Sequence, residues 1–192
     1  MTTTHLVNDA TSSPAGIPTR RLALLEHATV REIVMGAQDN LTTVLAVMLG
    51  VSIGSGRADL VALAGLSAAV AEAVSMGGVL YNSTRAQAAL DARDGTLLGP
   101  NQMTLAPVQS GFVTFVAAML GGLVPLSPFV LLPLPAAVYV SVIASVVALF
   151  ILGSVIGRVS GSSWWRDGLR LLLVAGLAAT ASALVGAALR VG

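Results

Sequence analysis

A long uncharged segment limits what this chain can fold into. From Gly95 to Gly157 no residue is charged, and most residues are apolar. A helix needs about 20 apolar residues to cross the hydrocarbon core of a bilayer, so this segment is long enough for two crossings and a turn. In the whole chain charged residues make up 10 %, whereas a soluble domain has about 25 %. Most of the folded surface must therefore lie in lipid.

The remaining charges bound three further apolar segments, so that the chain has five spans in all, with Asp39 inside the first and Glu72 inside the second. We predict an all-α membrane protein with one domain over residues 30–190 and five transmembrane helices, at residues 30–54, 60–84, 107–125, 133–157 and 168–190. Residues 1–29 form a polar tail without the apolar core of a signal peptide. Its last part, Thr19 to Arg31, is either a short amphipathic helix on the membrane surface or an extension of the first span.

Four prolines separate the third and fourth predicted spans. Proline removes a backbone donor and clashes with the preceding turn of a helix, so one continuous helix cannot contain all four. A single helix through this segment would also be too long for a bilayer. We therefore predict a tight turn that includes Pro125, Pro128, Pro133 and Pro135.

The distribution of arginine predicts the orientation. Cytosolic loops of membrane proteins are enriched in basic residues. In a five-span arrangement, Arg57 and Arg190 fall on one side, and the other eight arginines fall on the opposite side: Arg20, Arg21, Arg31, Arg85, Arg93, Arg158, Arg166 and Arg170. The N-terminus is then cytosolic and the C-terminus is not. If the protein is bacterial, its membrane is the plasma membrane.

Composition argues against several classes of function. The net charge of +1 gives no basic face for nucleic acid, and without cysteine there is no disulfide, thiolate metal site or thiol nucleophile. The two histidines, His5 and His27, lie outside the predicted spans, which leaves a serine nucleophile without a base and haem without an axial ligand. We expect neither an enzyme nor a bound cofactor.

Asp39 and Glu72 are the residues that most strongly indicate a function. An ionisable group at bilayer depth costs at least about 2.5–3.5 kcal/mol and usually serves function. Counted along their helices, the two carboxylates lie at the same depth within about one turn. No Arg, Lys or His lies at that depth to neutralise them. Either one carboxyl group is protonated or a cation is bound, and both states suit a proton-coupled cation carrier.

Two methionines accompany these carboxylates. Met35 precedes Asp39 by four residues and Met76 follows Glu72 by four, so each shares a helix face with a carboxylate. Thioether and carboxylate together suit a late first-row metal ion. The alternatives are that the methionines fill space in apolar helices and that a single buried carboxylate bonds a backbone group. The predicted metal site consists of Asp39, Met76, Glu72 and Met35.

At these same residues the chain resembles the vacuolar iron transporter family. That family has a G-A-N-D-G motif in its first span and A-G-A-x-S-M-A-x-G-E-Y/F-x-S in its second; the chain has Gly36-Ala37-Gln38-Asp39-Asn40 and Ala71 to Ser83. Similar residues continue through the third span, the turn after it and the last span, as Pro107, Ser110, Phe112, Phe115, Gly121, Val124 to Phe129, and Gly168 to Leu173.

This resemblance implies a homodimer of five-helix protomers that exports Fe²⁺ from the cytosol in exchange for H⁺. It also implies an ion path between the first two spans near the dimer axis, with metal-pathway roles for Asp39 and Met76. Glu72 does not carry over from the family, which usually has Gly there. Its candidacy depends on its depth.

Three departures from the family bear on the cargo. Leu80 replaces a Glu of the second motif, and Gln38 and Asn40 replace the Asn and Gly that flank the Asp. Iron-exporting members insert a Glu- and Met-rich helical domain between spans two and three. Here the connection is only residues 85–106, with Asp91, Asp94 and Met103 as candidate ligands. Mn²⁺ is therefore an alternative cargo, and a membrane scaffold that has lost transport is an alternative function.

Overall fold

The structure is a computed structural model that describes the backbone of residues 19–93 and 100–190 and the side chains of residues 30–93 and 106–190. It contains five α-helices: α1 (Thr19–Ser55), α2 (Ala58–Arg93), α3 (Pro100–Leu131), α4 (Leu134–Val159) and α5 (Trp164–Ala188). Each has the length and composition to cross a membrane. An all-α integral membrane protein with five long apolar helices is therefore confirmed.

Helix α1 lies at the centre of the bundle and contacts all four other helices. Helix α2 packs on α1 and α3, whereas α5 packs on α1 and α4. Glycines permit this central position because they let backbones approach closely: Gly50 of α1 packs against Gly186 of α5, and the Ala37 carbonyl packs against Gly121 of α3. The residues of α1 thus decide which surfaces of the other helices meet.

The helices α1, α2 and α3 extend furthest beyond the predicted spans. Helix α1 is continuous from Thr19 into the first span, while residues 1–18 of the predicted tail lie outside the described residues. Helix α2 continues to Arg93, and α3 begins at Pro100, seven residues before the predicted span. At 1.5 Å per residue α2 is about 54 Å long, which exceeds a hydrocarbon core of about 30 Å. Most of the predicted connection is therefore helix.

The chain breaks between α3 and α4 later than the prolines suggest. Helix α3 passes through Pro125 and Pro128 and ends at Leu131. Pro128 leaves the Val124 carbonyl without its helical donor, and the Ser127 hydroxyl donates to that carbonyl at 3.0 Å. Local compensation of this kind lets a transmembrane helix tolerate proline. The turn follows at residues 132–133, and Pro135 lies in the first turn of α4, where its missing donor is not needed.

A stripe of small residues on α2 packs inside the protomer. The stripe recurs every four residues and is buried along its length, at Gly65, Ala69, Ala73 and Gly77. Gly65 packs against Met48 of α1, and Gly77 packs against Gly111 of α3. The sequence could not say whether this stripe joins helices within or between protomers, and the structure uses it within one.

The close approach of α1 and α3 generates a stability prediction. In Gly121→Ala the added methyl group would meet the Ala37 carbonyl, and backbone atoms cannot move aside as a flexible side chain can. We expect the free energy of unfolding in detergent to fall by about 1–3 kcal/mol, as for other overpacked sites. Helix loss during denaturant titration, followed by circular dichroism, measures this change. The control is Gly176→Ala, whose methyl group enters open space; an equal loss in both variants would contradict the prediction.

Candidate functional site

Asp39 of α1 and Glu72 of α2 are in direct contact. Their carboxyl groups lie within hydrogen-bonding reach of each other. The two helices are antiparallel and joined by a short turn in which Gly56 has a positive φ of 61°. Their register is fixed further along by a hydrogen bond from Asn40 to the Ala69 carbonyl. The structure thus brings together the two carboxylates that the sequence placed at one depth.

Measured along the helix axis, the carboxylate pair lies far from both ends of the apolar part of the bundle. From Ser55 back to Asp39, at 1.5 Å per residue, the helix rises about 24 Å, and from Arg31 to Asp39 it rises about 12 Å. The pair is therefore nearer to the end of the bundle that we call the arginine-rich end, defined by Arg31, Arg85, Arg93, Arg158, Arg166 and Arg170. The opposite end carries the turn between α1 and α2.

Among the side chains that the structure describes, no basic group pairs with Asp39 or Glu72. Within the described ranges, ion pairs form between Arg57 and Asp59 and between Arg170 and Asp167, and neither includes Asp39 or Glu72. Two carboxylates in contact repel each other strongly where the dielectric constant is low.

The pair lies on the outside of a single protomer rather than in an enclosed cavity. Asp39 is exposed and Glu72 is partly buried. Helix α2 also presents small exposed residues one turn apart, namely Ser67, Ala71 and Ser75. A carboxylate on the surface of a monomer would face lipid at this depth, and intramembrane charges almost always face protein or water.

Met35 and Met76 lie one turn from the carboxylates. With Asp39 opposite Glu72 in an antiparallel pair, Met35 and Met76 fall at a common level, about 6 Å toward the arginine-rich end. Both side chains are partly buried. All four predicted ligands thus belong to adjacent turns of α1 and α2.

The prediction from sequence missed Glu32, which lies two turns from Asp39 toward the arginine-rich end. Its carboxylate is partly buried and accepts a hydrogen bond from Ser110 of α3 at 3.2 Å. Residues at i and i+7 share a helix face, so spacing to Asp39 could have identified it. Glu32 lies near the start of the predicted span 30–54, and no role was predicted for it from the sequence. It places a second carboxylate on α1 at the arginine-rich end, about 10 Å along the helix from Asp39.

The side chains of residues 30–93 and 106–190 are those in which further metal ligands can be identified. Among the described residues, no three His, Cys, Asp or Glu side chains converge. In the connection between α2 and α3, Asp91 accepts a hydrogen bond from Gln87 at 2.8 Å. Asp94 and the side chain of Met103 lie outside the described residues. Of the predicted ligands, Asp39 and Glu72 are the two carboxylates that the structure brings together.

These features define a class: a five-helix integral membrane protein with an unneutralised carboxylate pair between its first two helices. The profile of the VIT family matches residues 30–97 and 90–187, which together include nearly all of the five helices. The chain belongs to the VIT family. The two matched segments meet at the connection between α2 and α3, where the sequence predicted a departure from the family.

Individual relatives agree with this assignment. The chain is 32 % identical to vacuolar iron transporter homolog 2 of Oryza sativa subsp. japonica, over 75 % of this chain and 82 % of the relative. It is 26 % identical to vacuolar iron transporter 1 of Eucalyptus grandis, over 80 % and 83 %. An uncharacterised protein of Methanocaldococcus jannaschii is 28 % identical, over 79 % and 84 %. The alignment with the Eucalyptus protein spans 207 positions, more than the 192 residues of this chain, so it includes segments that this chain lacks.

The contact between the carboxylates predicts that their substitutions are energetically coupled. We expect the effects of Asp39→Asn and Glu72→Gln on the free energy of unfolding to be non-additive by about 0.5–3 kcal/mol, as for other residues in contact. Denaturant titration of both single variants and the double variant measures the coupling. The control cycle pairs Asp39→Asn with Asp91→Asn, about 28 Å along α2 from Glu72, where we expect additivity. Additive effects in the first cycle would show that the carboxylates do not interact.

Proposed function

We propose that this protein carries a divalent transition-metal ion, Fe²⁺ or Mn²⁺, out of the cytosol in exchange for protons. The observation that carries the proposal is the contact between Asp39 and Glu72 deep in the bundle, without a basic partner among the described residues. The names of the relatives in Oryza and Eucalyptus support iron as the cargo. The thioethers of Met35 and Met76 suit either of these ions better than Mg²⁺ or Ca²⁺.

Exchange follows from the need for positive charge at the pair. A divalent ion neutralises both carboxylates, and when the ion leaves, protons can take its place. Leaving the pair empty and ionised is unfavourable because two like charges would then be held together in a poorly solvated region. Loaded with metal or with protons, the site is tolerable inside the membrane, and alternation between these two states couples the two flows.

A homodimer completes the site in this proposal. The exposed position of Asp39 and the small exposed residues of α2 place the carboxylates on a surface that must be covered in lipid. Small residues at four-residue steps allow close packing of transmembrane helices. If α2 packs beside its own copy across a two-fold axis, Asp39 and Glu72 of both protomers line one path. The metal ion then has up to four carboxylates and the methionine thioethers as ligands.

The arginine distribution supports an orientation with the arginine-rich end in the cytosol. An ion that enters there reaches the level of Glu32 first, then the methionines, and then Asp39 and Glu72. This order supports Glu32 as the first carboxylate to attract the cation. Export follows from release at the end that carries the turn between α1 and α2.

A membrane scaffold without transport is the second candidate. The short connection between α2 and α3, and Leu80 in place of a motif Glu, favour it. Asp39 and Glu72 count against it, because a scaffold gains nothing from two unneutralised carboxylates at this depth. Metal flux through the reconstituted protein separates the two candidates.

The central test is transport by the wild-type protein and Asp39→Asn in proteoliposomes. We expect the wild type to transport Fe²⁺ or Mn²⁺ when a proton gradient drives the exchange. In Asp39→Asn we expect flux to fall by more than about 100-fold, since loss of a group that merely orients a metal ligand already costs roughly 10–100-fold. Metal-quenched fluorescence inside the vesicles reports the flux. Asp59→Asn, which removes an exposed carboxylate at the opposite end of the bundle, is the control; unchanged flux in Asp39→Asn would contradict the assignment.

The dimer is tested by cysteine cross-linking, which is straightforward because the natural sequence has no cysteine. We expect Ser67→Cys, on the exposed side of α2, to give a covalent dimer when the protein in its membrane is oxidised. Leu177→Cys on α5 is the control, because that residue is also exposed in the protomer but lies on a helix that packs on α1 and α4 rather than on α2. Mobility on a denaturing gel separates dimer from monomer. Dimer formation through Leu177→Cys but not through Ser67→Cys would overturn the proposed interface.

A further inference from the structure

We propose that Asn40 is a positioning residue whose amide fixes the rotation of α1 about its own axis, so that Asp39 faces Glu72. The effect of Asn40 on the direction of Asp39 does not depend on transport. Its effect on ion binding rests on the proposed function.

Asn40 joins three helices at the level of the carboxylate pair. Its side chain is fully buried, and its Nδ2 donates to the Ala69 carbonyl of α2 at 2.9 Å and to the Ala118 carbonyl of α3 at 2.8 Å. Both hydrogens of one amide are therefore used, each on a different helix. Both acceptors are backbone atoms of packed helices, which cannot follow the side chain if α1 turns.

Neighbouring residues of an α-helix point in directions about 100° apart, because a turn contains 3.6 residues. When Asn40 points into the junction of α2 and α3, Asp39 must point about 100° to one side of that junction. The structure agrees, since Asn40 is buried and Asp39 is exposed beside Glu72. A rotation of α1 large enough to separate the carboxylates would break both amide bonds.

The opposing surface of α3 is shaped to receive this amide. A Cβ atom on Gly122 would come within 3.0 Å of Asn40 Oδ1 and within 3.0 Å of the Ala69 methyl group. Glycine at this position therefore makes the space that the side chain occupies. The neighbouring Gly121 brings α3 against the Ala37 carbonyl, one turn earlier on α1.

The oxygen of the Asn40 amide carries a cost in stability. Asn40 Oδ1 is buried and has no hydrogen-bond partner among the described residues. An unsatisfied buried acceptor costs about 1–3 kcal/mol, whereas an apolar side chain of similar size would avoid that cost. A buried Asn that lowers stability while fixing helix register is known from coiled coils. We therefore attribute the amide at residue 40 to its effect on the rotation of α1 relative to α2 and α3.

The test uses the full-length, cysteine-free chain with Asp39→Cys and Glu72→Cys introduced together. A short bifunctional thiol reagent joins the two thiols, and gel mobility separates cross-links within a chain from those between chains. We expect efficient cross-linking within the chain in the Asn40 background. In Asn40→Leu, which keeps the volume and removes both hydrogen bonds, we expect the rate to fall by about tenfold, corresponding to about 1.4 kcal/mol at 25 °C.

The matched control is Ser141→Ala. Ser141 is also buried and donates to a backbone carbonyl of another helix, Pro125 of α3, at 2.8 Å. Its loss should lower stability without changing the cross-linking rate. An unchanged rate in Asn40→Leu, or an equal fall in Ser141→Ala, would overturn the proposal. If Asn40→Leu does not fold by circular dichroism, Asn40→Ala replaces it, because that substitution adds no bulk, and the same outcomes decide.

Transport provides the functional readout. If the proposed function holds, Asn40→Leu should raise the KM for Mn²⁺ by roughly 10–100-fold, the range expected when a group that orients a metal ligand is lost. The maximal rate should change much less, and Ser141→Ala should leave KM unchanged. An unchanged KM in a transporting Asn40→Leu variant would refute the functional consequence. A wild type that transports no metal would refute the proposed function, while cross-linking would still decide whether Asn40 positions Asp39.

Discussion

Two carboxylates in contact, deep in an apolar bundle and without a basic neighbour in the described structure, form the constraint on which the rest of this protein depends. Such a pair is expensive when ionised, so it must receive a cation or protons, and it must not face lipid. The exposed position of Asp39 then has a consequence for assembly. One protomer holds the pair in place but leaves Asp39 exposed, and in the proposed dimer a second copy of the chain covers the pair.

Helix α1 packs closely against its neighbours and also holds Asp39 in one direction. Gly36 packs against Thr114, Gly50 packs against Ser182, and the backbone at Ala37 meets Gly121, so α1 approaches α3 and α5 closely. Small residues of this kind let helix backbones come together. The amide of Asn40, with two fixed acceptors, also resists rotation of α1, because a turn of the helix would break both hydrogen bonds. The small residues of α1 thus provide proximity, and Asn40 provides the direction in which Asp39 points.

The sequence was informative where one residue property decided the structure. Uninterrupted apolar segments indicated five spans, and counting residues from the span ends placed Asp39 and Glu72 at one depth. It was uninformative where the structure depended on contacts that a residue pattern does not reveal. Helix α3 continues through Pro125 and Pro128, where the Ser127 hydroxyl donates to the Val124 carbonyl, so the turn lies beyond both prolines. Asp39 and Asn40 are adjacent and both polar, and no pattern in α1 alone shows that one is exposed and the other buried, because that difference depends on carbonyls of α2 and α3.

Symmetry adds a last constraint to the proposed site. In a two-fold dimer each residue occurs twice, so Asp39 and Glu72 contribute four negative charges around one axis. One divalent ion neutralises half of that charge, and the other half requires protons or a second ion. Occupancy by metal and by protons is therefore linked by charge balance, whatever the order in which they bind. Glu72 is central to this balance: with glycine at that position the dimer would carry two carboxylates, which one divalent ion neutralises alone, and the ion could then be held without any accompanying proton.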